Sequence, residues 1–234
     1  MNECKPPVRV TAIEGYRLWA PGYDSTPNPL LALEQRHLAP LLRLAEDRDV
    51  LDMGCGTGRW IAQLEAIGAR SIVGIDQSRA MLDQAEMKLR TSAWLVQADC
   101  CQTPLPRECC DWIVASFLVS YVADLGRLAA EAARLCRHDG RIVITDVHPA
   151  TRRYGWRRTF RCGQQTIEIT TYPYEVSDLV SAMERAGFAP VAVRDLGFDE
   201  PEQAIFARAG RPELYSDAFG LPALLMATFR RKSE

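Results

Sequence analysis

The 234-residue sequence has no apolar run long enough to cross a membrane as a helix, which argues against an integral helical membrane protein. The segment from Met1 to Val10 also lacks the apolar core of a signal peptide, so the expected location is the cytoplasm. Excess charge of either sign is missing: 28 Lys+Arg stand against 30 Asp+Glu. That balance gives no reason to expect a nucleic-acid partner. There is no C-x-x-C spacing among the eight cysteines, and Cys100-Cys101 and Cys109-Cys110 are adjacent pairs. Neighbours on an extended chain point to opposite sides, so the expectation is free, partly buried thiols and no metal. Histidine is scarce, and His37 and His138 fall on exposed-looking helix positions with no evident role.

What is present is an alternation of strand and helix patterns. Asp49 to Met53 reads as a strand, a glycine loop follows, and Arg59 to Ile67 reads as a helix. Ser71 to Asp76 is a second strand, followed by Ser78 as a cap and Met81, Leu82, Ala85 and Leu89 at helical spacing. Further strands are expected over Ala93 to Ala98, Trp112 to Ser116 and Arg141 to Val147, with a helix from Leu125 to Cys136. Serial right-handed crossovers imply a parallel sheet, hence a doubly wound, Rossmann-like α/β fold with helices on both faces. One domain is expected over 1–234. It comprises an N-terminal helical lid (1–45), a cofactor-binding core (49–150), a hairpin insertion (151–174) turning at Cys162-Gly163, and a C-terminal helix and strands (175–234). Within the last part the helix is expected over Val176 to Ala186, with strands near Pro190 to Val193 and Leu224 to Phe229.

The most informative segment is Val50-Leu51-Asp52-Met53-Gly54-Cys55-Gly56-Thr57-Gly58, a strand end entering a helix. Glycines there let the backbone approach a ligand without an intervening Cβ. The spacing is G-x-G-x-G rather than the dinucleotide pattern G-x-G-x-x-G, and Asp52 would repel a pyrophosphate but attract a cationic ligand. S-adenosylmethionine carries both a sulfonium and an α-ammonium. At the end of the second strand, Asp76 can accept hydrogen bonds from both hydroxyls of a ribose, and Asp99 after the third strand can accept one from an adenine amino group. Cys55 suits packing within the loop better than nucleophilic attack.

With these residues in place, the chain resembles the class I S-adenosylmethionine-dependent methyltransferases of the small-molecule type, roughly from Tyr16 to Phe229. The resemblance implies seven strands with the last antiparallel. It also implies that Asp52 and the backbone of Gly54, Gly56 and Gly58 hold the methionine part and Asp76 the ribose. Asp99 and the Cys100 amide would hold the adenine, and Gln77, Met81 and Ser116 complete the set. Tyr16, Trp19 and Tyr23 lie in a segment similar to the lid of such enzymes, where they fit either cofactor contact or ordinary core packing.

His148 follows the fifth strand, where it fits a catalytic base or a turn residue ordering Pro149. Tyr121, Tyr172 and Tyr174 fit an acceptor pocket or packing. Arg152, Arg153, Arg157, Arg158 and Arg161 fit a solvated hairpin face or an anion site for the acceptor. The expected partner is a small-molecule acceptor, possessing an anionic group on the second of those readings. Ser116-Phe117-Leu118 lacks the D/N-P-P-Y/F pattern of amino-directed nucleic-acid enzymes, and no Pro-Cys dipeptide serves cytosine-C5 chemistry. A nicotinamide oxidoreductase is disfavoured by the loop spacing. Sequence leaves open a cyclase or lyase acting on the cofactor and a non-catalytic binder.

Overall fold

The computed structural model describes residues 6–89 and 93–233. In chain order, strand β1 (Val8–Val10) leads into helices α1 (Ala12–Trp19) and α2 (Pro29–Leu42). Two strand–helix crossovers follow: β2 (Asp49–Met53), α3 (Arg59–Ala66), β3 (Ser71–Asp76), α4 (Arg79–Lys88) and β4 (Trp94–Gln97). The chain continues through β5 (Cys110–Ser116), α5 (Leu125–Leu135), β6 (Cys136–Val147), β7 (Thr159–Cys162), β8 (Gln165–Ile169) and α6 (Val176–Arg185). It ends with β9 (Phe188–Leu196), α7 (Glu200–Arg208), α8 (Glu213–Ala218) and β10 (Leu224–Arg231).

Local chemistry sets the helix starts. The Asn28 side chain accepts from Leu30 N ahead of Pro29, and Asp124 accepts from Gly126 N and Arg127 N. The seven-stranded sheet has the order β4-β3-β2-β5-β6-β10-β9. Strands β2 to β6 pair in parallel, and β10 runs antiparallel to both β6 and β9, as the resemblance implies. One face is covered by α5 and α6 through Leu128, Ala132, Leu179 and Met183. The other is covered by α2, α3 and α7 through Leu33, Leu38, Ile61, Leu64 and Phe206. Burial on both faces explains the near-continuous apolar runs of β2 and β5.

Three features depart from the sequence reading. β9 is longer than Pro190 to Val193, because its pairing with β10 carries it from Phe188 to Leu196 past a register shift at Thr228/Phe229. Helices α7 and α8 were not expected, although Asp199 and Glu202 form a capping box that marks the start of α7. The hairpin of β7 and β8 turns at Cys162-Gly163, but it does not stand alone: β1 adds parallel to β8 to make a second, three-stranded sheet. No local periodicity signals that pairing. It draws α1 onto the hairpin, with Gly15 against Ile169 and the Trp19 ring stacked on Phe160 at 4.7 Å.

In the middle of β3, a Cβ on Gly74 would meet Ile61 Cδ1 at 2.6 Å, Leu95 Cδ2 at 2.9 Å and Cys55 Sγ at 3.0 Å. Gly74→Ala is therefore expected to cost about 1–3 kcal/mol by overpacking. Urea unfolding would read this as a lower midpoint; an unchanged midpoint would show that α3 can step back without cost.

Candidate cofactor and acceptor site

After β2 the chain turns outward through β3 to β4, then crosses back to place β5 on the other side of β2. The carboxyl ends of β2 and β5 thus flank a crevice where strand order reverses, the place where open α/β sheets bind ligands. A cavity of about 290 Å³ lies there. Its walls come from the glycine loop, the ends of β3 and β4, the segment after β5, and α1.

Gly54, Gly56 and Gly58 have φ of +79°, +54° and +76°, a region where a side chain is strained. The first two line the cavity, whereas Gly58 lies behind it, packed so closely that a Cβ would meet Leu89 Cδ1 at 2.6 Å. Gly54 N and Cys55 N donate to Ile75 O at 2.8 and 2.9 Å, fastening the loop to β3. Asp76 accepts from Gly56 N through one oxygen (2.9 Å) and from Ser78 N through the other (2.8 Å). Both oxygens retain lone pairs, and the residue lines the cavity with Gln77 and Met81.

Asp52 sits beneath the loop and is 1% exposed, and neither carboxylate oxygen has a hydrogen-bond partner. Burial, with Asp76 and Glu34 adding to it against the pull of Arg59, pushes its carboxyl up to about 8. Burial also raises Asp76 above the ordinary carboxylate range, against the pull of its backbone hydrogen bonds. The loop therefore rests on a concentration of acids with a single nearby guanidinium, an environment that favours a cationic ligand.

Asp99, Cys100 and Ser116 line the cavity as well. The Ser116 hydroxyl donates to Glu34 at 2.7 Å. Tyr16 and Tyr23 line it too and pack together with ring centroids 6.1 Å apart. Tyr121, in the turn Val119–Tyr121 after β5, faces Tyr16 edge-on and accepts a hydrogen bond from its hydroxyl at 3.0 Å.

Residues 51–144 match the family described as a methyltransferase domain. An uncharacterised methyltransferase of Emericella nidulans is 27% identical over 220 residues, 76% of each chain. A phosphatidylethanolamine N-methyltransferase of Cereibacter sphaeroides is 35% identical over 137 residues, 56% of this chain and 65% of that protein. Among solved structures, an S-adenosylmethionine-dependent methyltransferase from Mesorhizobium loti superposes with a TM-score of 0.68 at 22% identity, over 87% of this chain and all of that one. Over residues 51–144 the chain is thus similar to the S-adenosylmethionine-dependent methyltransferases.

The methyltransferase's own residues fit that cofactor. The positive-φ glycines keep the loop free of side chains, Asp52 is a buried acid without a partner, and Asp76 holds spare acceptor capacity beside the cavity. The lid is latched to the loop by polar contacts: Thr57 Oγ1 donates to Asp24 Oδ1 at 2.8 Å, and Lys88 Nζ donates to Asp24 Oδ2 at 2.8 Å.

Besides Asp52 and Gly58, which lie beneath and behind the glycine loop rather than in the cavity wall, two expected site residues lie elsewhere. Trp19 is not part of the cavity wall; stacking on Phe160 commits it to the small core under the hairpin. His148 is turned away toward β9, with Nε2 3.0 Å from Asp195 Oδ1 and Nδ1 accepting from Ala150 N at 3.2 Å. Both ring nitrogens are thus engaged outside the cavity wall.

Four residues escaped the sequence reading. Glu34, on α2 and fully buried, accepts from Ser116 and Thr145 and pairs with Arg59, tying the lid helix to β5, β6 and α3. An acid on the buried side of an amphipathic helix was the available signal. Phe117 lines the cavity with a left-handed φ of +49°, an unusual state for a bulky residue. Leu118 and Arg127 complete this side, and no sequence signal marked them. Arg158 was grouped with its neighbours but differs from them: its Nε donates to Tyr121 at 2.8 Å, and its guanidinium lies 5.1 Å from the Phe117 ring centre.

Two outcomes are expected. The folded-state pKa of Asp52 near 8 lies above the ordinary value of 3.8, so its contribution to stability is complete below about pH 4 and is lost as pH rises through 8. Asp52→Asn should remove this slope while weakening cofactor binding about tenfold or more, and wild-type binding below pH 8 should release a proton, measured by calorimetry in buffers of different ionisation enthalpy. Asp24→Ala should raise the dissociation rate of S-adenosylhomocysteine several-fold in stopped-flow displacement; an unchanged rate would show that the lid holds without this latch.

Proposed function

We propose that this methyltransferase transfers the methyl group of S-adenosylmethionine to an anionic small-molecule acceptor that enters beside Tyr121. The observation that carries the acceptor class is Arg158. Its Nη2 is buried with no hydrogen-bond partner, and among the described residues the guanidinium forms no ion pair. A half-buried guanidinium with Nη2 sealed among Phe117, Tyr121, Tyr16 and Tyr23 is costly unless something negative compensates it. Asp146 is the acid that bears on it electrostatically, but its carboxylate is already taken by Ser120 N, Ser120 Oγ and Val147 N.

In this reading the loop backbone and Asp52 hold the methionine part, Asp76 the ribose, and Asp99 with the Cys100 amide the adenine. Gln77, Met81, Ser116, Tyr16 and Tyr23 enclose them. The cofactor supplies an electrophilic methyl on a positive sulfur. Alignment and exclusion of water are what the protein must add. Tyr121 accepts from both Tyr16 and Arg158, which leaves its own O–H to point at an acceptor oxygen. Burial raises its pKa, so it acts as a neutral donor and orienting group rather than as a base. An anionic oxygen needs no base, consistent with a described cavity wall that contains neither histidine nor lysine.

Calorimetry with S-adenosylmethionine and S-adenosylhomocysteine tests the cofactor half: both should bind wild type, and Asp76→Ala should bind at least about 100-fold more weakly. Arg158→Met should raise KM for anionic acceptors about tenfold or more, with S-adenosylhomocysteine affinity nearly unchanged. Equal turnover of anionic and neutral acceptors by wild type would overturn the acceptor class.

A further inference from the structure

At the carboxyl end of β4, the segment Asp99-Cys100-Cys101-Gln102 is not extended. Gln102 N donates to Asp99 O at 3.0 Å and Cys101 N donates to Asp99 Oδ1 at 2.8 Å, so the chain reverses within four residues. The reversal cancels the divergence that adjacent side chains show on a straight strand. One ligand atom from each of Asp99, Cys100 and Cys101 lies within 4.8 Å of the others, and all three residues line the cavity. Among the described residues this is the sole group of three metal-ligating side chains so gathered; Cys109, Cys110 and Cys136 do not converge in that way.

The donor set has a definite chemical preference. Two thiolates and a carboxylate suit a borderline-soft cation, and hard cations such as magnesium and calcium prefer oxygen alone. With Zn–S near 2.3 Å and Zn–O near 2.0–2.2 Å, tetrahedral ligands stand roughly 3.5–3.8 Å apart, inside the spread found here. Three protein ligands leave the fourth position open to the cavity. We propose that Asp99, Cys100 and Cys101 bind a soft divalent cation of the zinc class in the wall of the cofactor cavity.

Binding replaces two S–H bonds by two metal–sulfur bonds and releases two protons, with no change of oxidation state. Resting on the cofactor reading above, the consequence is competition: a metal that takes the Asp99 carboxylate removes the group assigned to adenine. Such an ion would switch the enzyme off at its cofactor site.

The test uses cadmium as probe on the full chain after treatment with a chelator. Wild type should show a thiolate-to-cadmium charge-transfer band that saturates at one equivalent, and Cys109→Ser/Cys162→Ser should retain it. Cys100→Ser/Cys101→Ser, checked for folding by its thermal transition, should lose it. No band in wild type, or an undiminished band in the Cys100/Cys101 variant, would overturn the site. Bound cadmium should also lower S-adenosylhomocysteine affinity at least about tenfold in wild type but not in that variant. A band that behaves as expected without this loss would overturn the competition alone. Failure of metal-free wild type to bind S-adenosylhomocysteine would overturn the cofactor reading and leave the metal site standing.

Discussion

The parallel placement of β2 between β3 and β5 is the constraint on which the rest depends. Because the chain leaves β2 in one direction and returns to its other side, no connection covers the carboxyl ends of β2 and β5. The crevice left there is filled by backbone: three glycines in left-handed conformations, held to β3 through Ile75 O. The glycine loop, Asp76, Asp99 and Ser116 lie on this one edge because parallel strands deliver all their carboxyl ends to one side.

Acidic groups concentrate under the same edge. Asp52 has no partner, and Glu34 is buried in a network with Ser116, Thr145 and Arg59. Buried acids without compensation destabilise a fold, so their retention makes sense where a cation completes the arrangement. Glu34 adds a mechanical consequence. It links α2 to β5 and β6, and the Asp24–Lys88–Thr57 contacts link the preceding segment to the glycine loop and α4, so the N-terminal part is anchored at two points.

The acceptor side is organised by a different principle, aromatic enclosure of a cation. Arg158 reaches Tyr121 from the strand entering the hairpin, and β1 pairs with β8 to bring α1 and Tyr16 to the same place. Segments more than a hundred residues apart thus share one short chain of hydroxyls. The vicinal cysteines on the facing wall share that cavity, so a metal there and a cofactor would meet the same Asp99.

The core fold and much of the candidate cofactor edge were legible in the sequence because both are local. Strand and helix periods, the G-x-G-x-G spacing, and the acids Asp76 and Asp99 at strand ends are each set within a few residues. What was not legible depends on contacts between distant segments. Trp19 fitted cofactor contact or packing equally, and the partner that decides its stacking is Phe160 of the hairpin; His148 fitted a base or a turn residue, and its contact with Asp195 comes from β9. Arg158 could not be told from four neighbouring arginines, since its burial comes from Phe117 and Tyr121. Cys100 and Cys101 were expected to diverge, and a turn closed by Asp99 brings them together. Sequence by itself determined the order of strands and helices from β2 to β6 and the glycine loop that follows β2, because backbone conformation there follows from nearby residues. Tertiary structure alone decided which side chains face one another across the cavity, because burial and pairing are properties of segments that meet only when the chain has folded.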